Sequence, residues 1–227
     1  MFSWRSRLAP RTSLESLAWI SRSRPGPATS RIRSTARVPP LHSYVDPQGG
    51  PAKLAQAMGQ VSSGLVPVLE ALGDDESVPW LLIEPTAGQG RSLCAGIDDL
   101  AAYLEALEHH PKVGICLDTC HVFAAGEPLD EAGGGTRAVD RILEVAGPGR
   151  LRLIHANDSK DVRGANLDRH ENIGAGHIGA DAFRELFAHP ATEGVPFVLE
   201  TPGSREPGNA DLTLLKQLRA EAHATAG

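Results

Sequence analysis

Four short apolar runs constrain the fold of this chain more than any other feature. They are "WLLIE" ending at Glu84, "VGICLD" ending at Asp118, "LRLIHAND" containing His155 and Asp158, and "PFVLE" ending at Glu200. None alternates apolar with polar residues. Each therefore reads as a strand buried on both faces, as in a parallel sheet covered by helices. Each also ends in a group able to bind metal. The successive spacings Glu84 to Asp118, Asp118 to His155 and His155 to Glu200 are 34, 37 and 45 residues, about one strand–helix unit each with room for a loop insertion. A single acid after a strand is an ordinary turn residue or helix cap. Four strands in succession ending in Glu, Asp or His form a pattern, because barrels of alternating strands and helices gather their chemistry at the carboxyl ends of their strands.

Helical spacing fills the intervals. Residues 53–72 place Leu54, Met58, Val61, Leu65 and Leu69 on one face, with Pro67 expected to strain or kink that helix. Residues 97–110 place Ile97, Leu100, Leu104 and Leu107 inward. Asp98 and Asp99 stand at the start of that segment and His109 and His110 at its end, as the helix dipole favours. Further helices are expected across 180–188, with Phe183, Leu186 and Phe187 inward, across 211–222, and near 137–145.

A chain of 227 residues with 41% hydrophobic content suits one α/β domain, and its 24 glycines and 17 prolines suit many turns. With no run of 18 apolar residues, no transmembrane helix and no membrane partner are expected. The three cysteines, Cys94, Cys116 and Cys120, form no CxxC pair and suggest a reducing compartment. The net charge of −6 hides an asymmetry. Residues 1–41 carry eight arginines, eight serines, no lysine and one acid, whereas the remainder carries 14 basic and 27 acidic residues. The first segment reads as an organelle transit peptide or as an unstructured or wrongly joined leader; a nucleic-acid-binding arm is the weaker alternative. No fold is expected before about residue 42, so the chain divides into a disordered or unrelated leader, 1–41, and a domain, 42–227.

The stretch "LDRHENIGAGHIG", Leu167 to Gly179, offers little to a core. Asp168 and His170 are two apart, so in an extended chain their side chains point the same way. His121 lies three residues beyond Asp118. Three carboxylates at strand ends plus His155 can surround one divalent ion, and His121, Asp168 and His170 another. Imidazole and carboxylate donors suit zinc or another borderline metal. Cys116, expected to face the barrel wall, and Cys120 read as packing residues. The glycines at 174, 176 and 179 let the loop turn tightly beside the metals. His177 reads as a surface histidine, with a supporting or DNA-contacting role as the alternative.

The motifs "LIEPTAGQG", "VGICLDTCHVFAAG", "HANDSK", "DRHENIGAGHIG" and "FVLETPG" closely resemble, in order, those of endonuclease IV, the zinc-dependent apurinic/apyrimidinic endonuclease family. The likeness covers roughly residues 43–205. It implies a (β/α)8 TIM-barrel fold of the α/β class, here a partial barrel containing about the last four strand–helix units. It implies three zinc ions in an intact member, with Glu84 shared between the first and second sites. Asp118, His155 and Glu200 would complete the second site, and His121, Asp168 and His170 would form the third. The implied activity is hydrolysis of the DNA backbone 5′ to an abasic site, leaving a 3′-hydroxyl. A zinc-activated hydroxide would attack, with Glu84 or Glu200 orienting it or taking its proton.

The implied partner is double-stranded DNA containing abasic sites, with Asn157, Lys160, Arg163, Arg169 and His177 as candidate contacts. The enzyme is expected to be a monomer in a bacterial cytoplasm, or mitochondrial if the leader is a transit peptide. The chain departs from the family before Glu84, where two histidines complete the first zinc site; here two complete sites are expected, with His42 read as a junction artefact and, as the alternative, a substitute for a lost ligand. A metal-dependent sugar isomerase or epimerase, with Trp80, Tyr103 and Phe123 as possible pocket aromatics, and an inactive zinc-binding fragment are the competing readings.

Overall fold

The computed structural model describes residues 50–73, 78–90, 92–202 and 209–225. The leader 1–41 and His42 lie outside the described residues. Helix α1, Gly50–Leu72, leads to β1, Leu81–Ile83; a 3-10 turn at Ile97–Asp99 runs into α2, Leu100–Ala106. Then come β2, Val113–Asp118, α3, Thr119–Ala125, α4, Gly134–Ala146, and β3, Leu151–His155. Two short strands follow, β4 at Asp158–Ser159 and β5 at His170–Glu171. Helix α5, Ala180–Ala188, β6, Phe197–Val198, and α6, Ala210–Thr225, complete the chain.

Strands β1, β2, β3 and β6 form one parallel sheet in that order. That is half the strand number of a closed (β/α)8 barrel. β4 and β5 form a separate antiparallel pair beside the strand ends. Strand alternation divides β2 between two environments. Val113, Ile115 and Leu117 enter the main core with the helices, while Cys116 packs with Leu82, Leu153 and Trp80 on the opposite face. The unbroken apolar run in the sequence is thus a strand buried from both sides.

Two expectations change in the structure, while Pro67 lies within an unbroken α1. The hydrogen bond it removes belongs to the Ser63 carbonyl, and Ser63 and Pro67 are both exposed, where water substitutes. The helix expected across 97–110 is shorter, because Glu108 and His109 adopt left-handed backbone angles, φ 54° and 50°, to turn the chain into β2. The carbonyls of His109, His110 and Val113 at this turn accept from the Arg150 guanidinium at 2.7–3.1 Å, so an arginine supplies the charge expected of the two histidines. Cys116 lies on the face it shares with Asp118, since residues two apart on a strand point the same way.

Helix α4 approaches α5 through Gly135. A Cβ there would sit 2.5 Å from the Ala182 carbonyl oxygen, whereas one at Gly64 in α1 meets nothing within 4 Å. Gly135→Ala is therefore expected to destabilise the domain by about 1–3 kcal/mol. Gly64→Ala should stabilise it by about 0.4–1 kcal/mol through the unfolded chain. Urea unfolding of the two variants checks both signs.

Candidate metal centre

The parallel register sets the first cluster. Asp118 closes β2 directly opposite His155, which closes β3, and His155 pairs with Val198 on β6. Glu84 follows β1 by one residue and Glu200 follows β6 by two. Leu82 and Glu84, Cys116 and Asp118, Leu153 and His155, and Val198 and Glu200 are each two apart, so the four polar side chains stand on one face at the carboxyl end of the sheet. His155 Nδ1 lies 3.2 Å from Glu84 Oε1, 3.4 Å from Glu200 Oε2 and 3.7 Å from Asp118 Oδ2. Asp118 and His155 are buried, and Glu200 is the most accessible of the carboxylates around them.

The second cluster shares residues with the first. Asp118 caps α3 by accepting from the His121 N–H, which brings that imidazole to the mouth. Its Nδ1 is 3.3 Å from Glu84 Oε1, and its Nε2 is 3.3 Å from Asp168 Oδ1. His170 Nε2 lies 3.1 Å from the same Asp168 oxygen and 3.7 Å from Asp118 Oδ2. These are ion-pair contacts without hydrogen-bond alignment, so His170 Nε2 is a buried polar atom with no hydrogen-bond partner among the described residues. His170 Nδ1 is 3.2 Å from the Glu200 carbonyl oxygen, the arrangement that leaves Nε2 free as a ligand. Donor atoms of Asp118, His155 and Glu200 lie within 4.8 Å of one another, as do those of Asp118, His121 and His170. The residues brought together are the seven that the spacing singled out.

Electrostatics follow from the crowding. Burial opposes ionisation of Glu84, but His121 and His155 beside it bring its carboxyl down to about 2. His121 and His170 hold the Asp168 carboxyl well below the usual carboxylate range. Burial works against protonated imidazoles, yet Asp118, Asp168 and Glu84 push His121 up to about 12. Asp168 and Asp118 push His170 up to about 9, and Glu84, Glu200 and Asp118 raise His155. Without metal, imidazole protons supply the positive charge that this ring of carboxylates requires.

A depressed acid stabilises the fold fully above its ordinary pKa, and a raised base does so below its own. The Glu84 contribution is complete above 4.5 and lost as pH falls towards about 2. The imidazole contributions are complete below 6.5, and are lost as pH rises through about 9 for His170 and about 12 for His121. Metal-stripped protein should therefore show its highest melting temperature between pH 4.5 and 6.5, measured by differential scanning fluorimetry with chelator present.

Asp158 is not a ligand but the organiser of the glycine loop. Fully buried, its carboxylate accepts from the N–H groups of Ser159 and Ile178 at 2.8 Å, Gly174 at 2.9 Å, Gly176 at 3.2 Å and Gly179 at 3.3 Å. A Cβ on Gly176 would fall 2.5 Å from Asp158 Oδ1 and closer still to the Ser159 carbonyl, so only glycine fits. Asp158→Asn turns an acceptor oxygen into a donor against these amides. It should cost about 3 kcal/mol or more by urea unfolding, with loss of the near-ultraviolet signal of the folded core.

The expected DNA contacts fare unequally. Asn157 is fully buried, with both amide atoms used internally: Nδ2 donates to Asp118 Oδ2 at 2.7 Å and Oδ1 accepts from the Glu200 N–H at 2.9 Å. It cannot reach a phosphate. Arg163 pairs with Glu131 at 2.6 Å and Asp130 at 3.2 Å, and Arg169 pairs with Asp161. Both arginines, Lys160 and His177 are exposed. Cys116 and Cys120 are fully buried within 4.8 Å of cluster donors, but burial and neighbouring carboxylates keep both thiols protonated, with Cys120 pushed up to about 12. The aromatics considered for a sugar pocket lie elsewhere. Tyr103 and Phe123 belong to the helix-side core, and Trp80 packs under Arg152 and Lys112 near the opposite end of the strands.

This is part of an α/β barrel with candidate metal donors gathered at its strand ends. The family model described as xylose isomerase-like TIM barrel matches residues 35–220. Probable endonuclease 4 from Streptomyces coelicolor is 57% identical over 163 residues, 72% of this chain and 55% of that protein. Its counterpart from Chloroflexus aurantiacus is 33% identical over 182 residues, 79% of this chain and 61% of that protein. The crystal structure of endonuclease IV from Thermus thermophilus superposes with a TM-score of 0.59 at 32% identity, covering 74% of this chain and 58% of that one. The chain belongs to the xylose isomerase-like TIM-barrel family, in its endonuclease IV branch. It spans about half the length of the curated relatives it matches.

Proposed function

We propose that this chain carries the metal-holding part of a DNA-repair endonuclease that hydrolyses the phosphodiester bond 5′ to an abasic site in duplex DNA, leaving a 3′-hydroxyl. The observation that supports this best is the meeting of Glu84, Asp118 and Glu200, from three strands, around His155 Nδ1 at 3.2–3.7 Å. The buried His170 Nε2, without a hydrogen-bond partner among the described residues, fits a second ion among His121, Asp168 and Asp118. A donor set of imidazole nitrogens and carboxylate oxygens, with the nearby thiols protonated, suits zinc.

Bound divalent ions would supply positive charge for a phosphodiester and lower the pKa of water at neutral pH. The chain's own residues do the rest. Glu84, ionised and flanked by His121 and His155, ties the two clusters together. Glu200, the most accessible of the carboxylates, would take the proton of the attacking water as its oxygen bonds to phosphorus; the P–O3′ bond breaks and the departing oxygen takes up a proton from solvent to become the 3′-hydroxyl. Lys160, Arg163 and Arg169 stand exposed beside the mouth, where exchange of Asp130, Glu131 and Asp161 for DNA phosphates is open to the two arginines.

The test combines metal analysis of purified protein with cleavage of a duplex bearing one abasic site. Zinc uptake, chelator-sensitive cutting and a Glu200→Gln loss of about 10²–10⁴ in kcat are expected. Bound zinc without cleavage would leave the non-catalytic zinc-binding reading, and no zinc at all would remove the nuclease reading.

A further inference from the structure

We infer that Asn157 is the positioning residue that holds the Asp118 carboxylate and the Glu200 main chain, from which the Glu200 side chain projects, in fixed relation across three strands of the mouth. The inference rests on the reading of that mouth as a divalent-metal site. Asn157 contacts neither solvent nor any path to a substrate, being 0% exposed. Its side chain is a planar fork with a donor on one arm and an acceptor on the other. The donor holds Asp118 Oδ2 at 2.7 Å, while the His121 N–H holds Oδ1 at 3.0 Å. Each oxygen of that carboxylate is thereby fixed, and Oδ2 is left 3.7 Å from both His155 Nδ1 and His170 Nε2.

The acceptor arm completes a ladder that the backbone leaves unfinished. β6 is two residues long. The Ala156 N–H donates to the Val198 carbonyl at 2.8 Å, and a regular parallel ladder would next bond the Glu200 N–H to the Ala156 carbonyl. Asn157 Oδ1 takes that N–H instead, at 2.9 Å. Glu200, beyond the end of its strand, is tethered through this side chain to β3. The backbone that carries the fork is held by Thr119, whose hydroxyl donates to the Asn157 main-chain carbonyl at 2.6 Å and accepts from the Asn157 main-chain N–H at 2.9 Å. In place of Asn157, aspartate lacks the donor, and serine is too short to reach both.

The experiment is a cobalt(II) titration of the full chain followed by visible absorption, with urea unfolding run alongside. Cobalt reports ligand geometry through its band positions and intensities, which a loss of stability alone does not move. Asn157→Ala is expected to bind cobalt about 10–100-fold more weakly than the unaltered chain, with shifted bands in the fraction that remains folded. If the alanine variant does not fold, Asn157→Ser, whose hydroxyl and an added water can occupy the vacated space, reads the same loss. A folded variant with unchanged affinity and spectrum overturns the positioning role while leaving the metal reading intact. An unaltered chain that takes up no cobalt overturns both.

Discussion

The mouth of this sheet is organised around one buried nitrogen. Three carboxylates from three strands close on His155 Nδ1, and a fourth, Asp168, joins through His121 and His170. Like charges this close cannot all persist without a cation between them, whether protons on the imidazoles or a divalent ion. Strand register and the two-residue alternation bring the groups together; only an added positive charge keeps them there. The carboxyl end of the sheet is thus a site whose stability and whose chemistry draw on the same charge balance.

Not every acid near the mouth has this character. Asp158 is satisfied by five peptide N–H groups. Asp211, at the start of α6, accepts from the Ile173 N–H and the Thr201 hydroxyl, fastening that helix to the glycine loop and to the segment just after Glu200. Glu185 accepts from the Gly133 and Gly135 N–H groups at the start of α4. These three are neutralised by dipoles of the fold and need nothing from solution. Residue type alone does not separate them from the candidate ligands. What separates them is whether backbone amides or other carboxylates face the oxygens.

Much of the arc is legible without coordinates. The apolar runs mark the parallel strands, and the helical spacing of Ile97, Leu100 and Leu104 marks α2, because burial on one stripe leaves a periodic trace. Grouping Glu84, Asp118, His155 and Glu200 needs only the strand–helix repeat. Shorter features leave no such trace. Helix α3 begins on the residue after Asp118, its cap and the last residue of β2, so its seven residues merge with the strand pattern. β4 and β5 hold two residues each, set by the loop rather than by local preference. Asn157 reads wrongly as a phosphate contact because it lies close to the mouth in sequence; its direction, inward between β2 and β6, depends on partners 39 and 43 residues away.

The peptide cage around Asp158 separates the scaffold of the mouth from its cargo. The segment from Gly174 to Gly179 is anchored to a carboxylate that no chelator can strip. The turn that follows β5 is held in place by bonds independent of any ion. An ion entering or leaving such a mouth would do so beside a loop whose shape is set by peptide N–H groups.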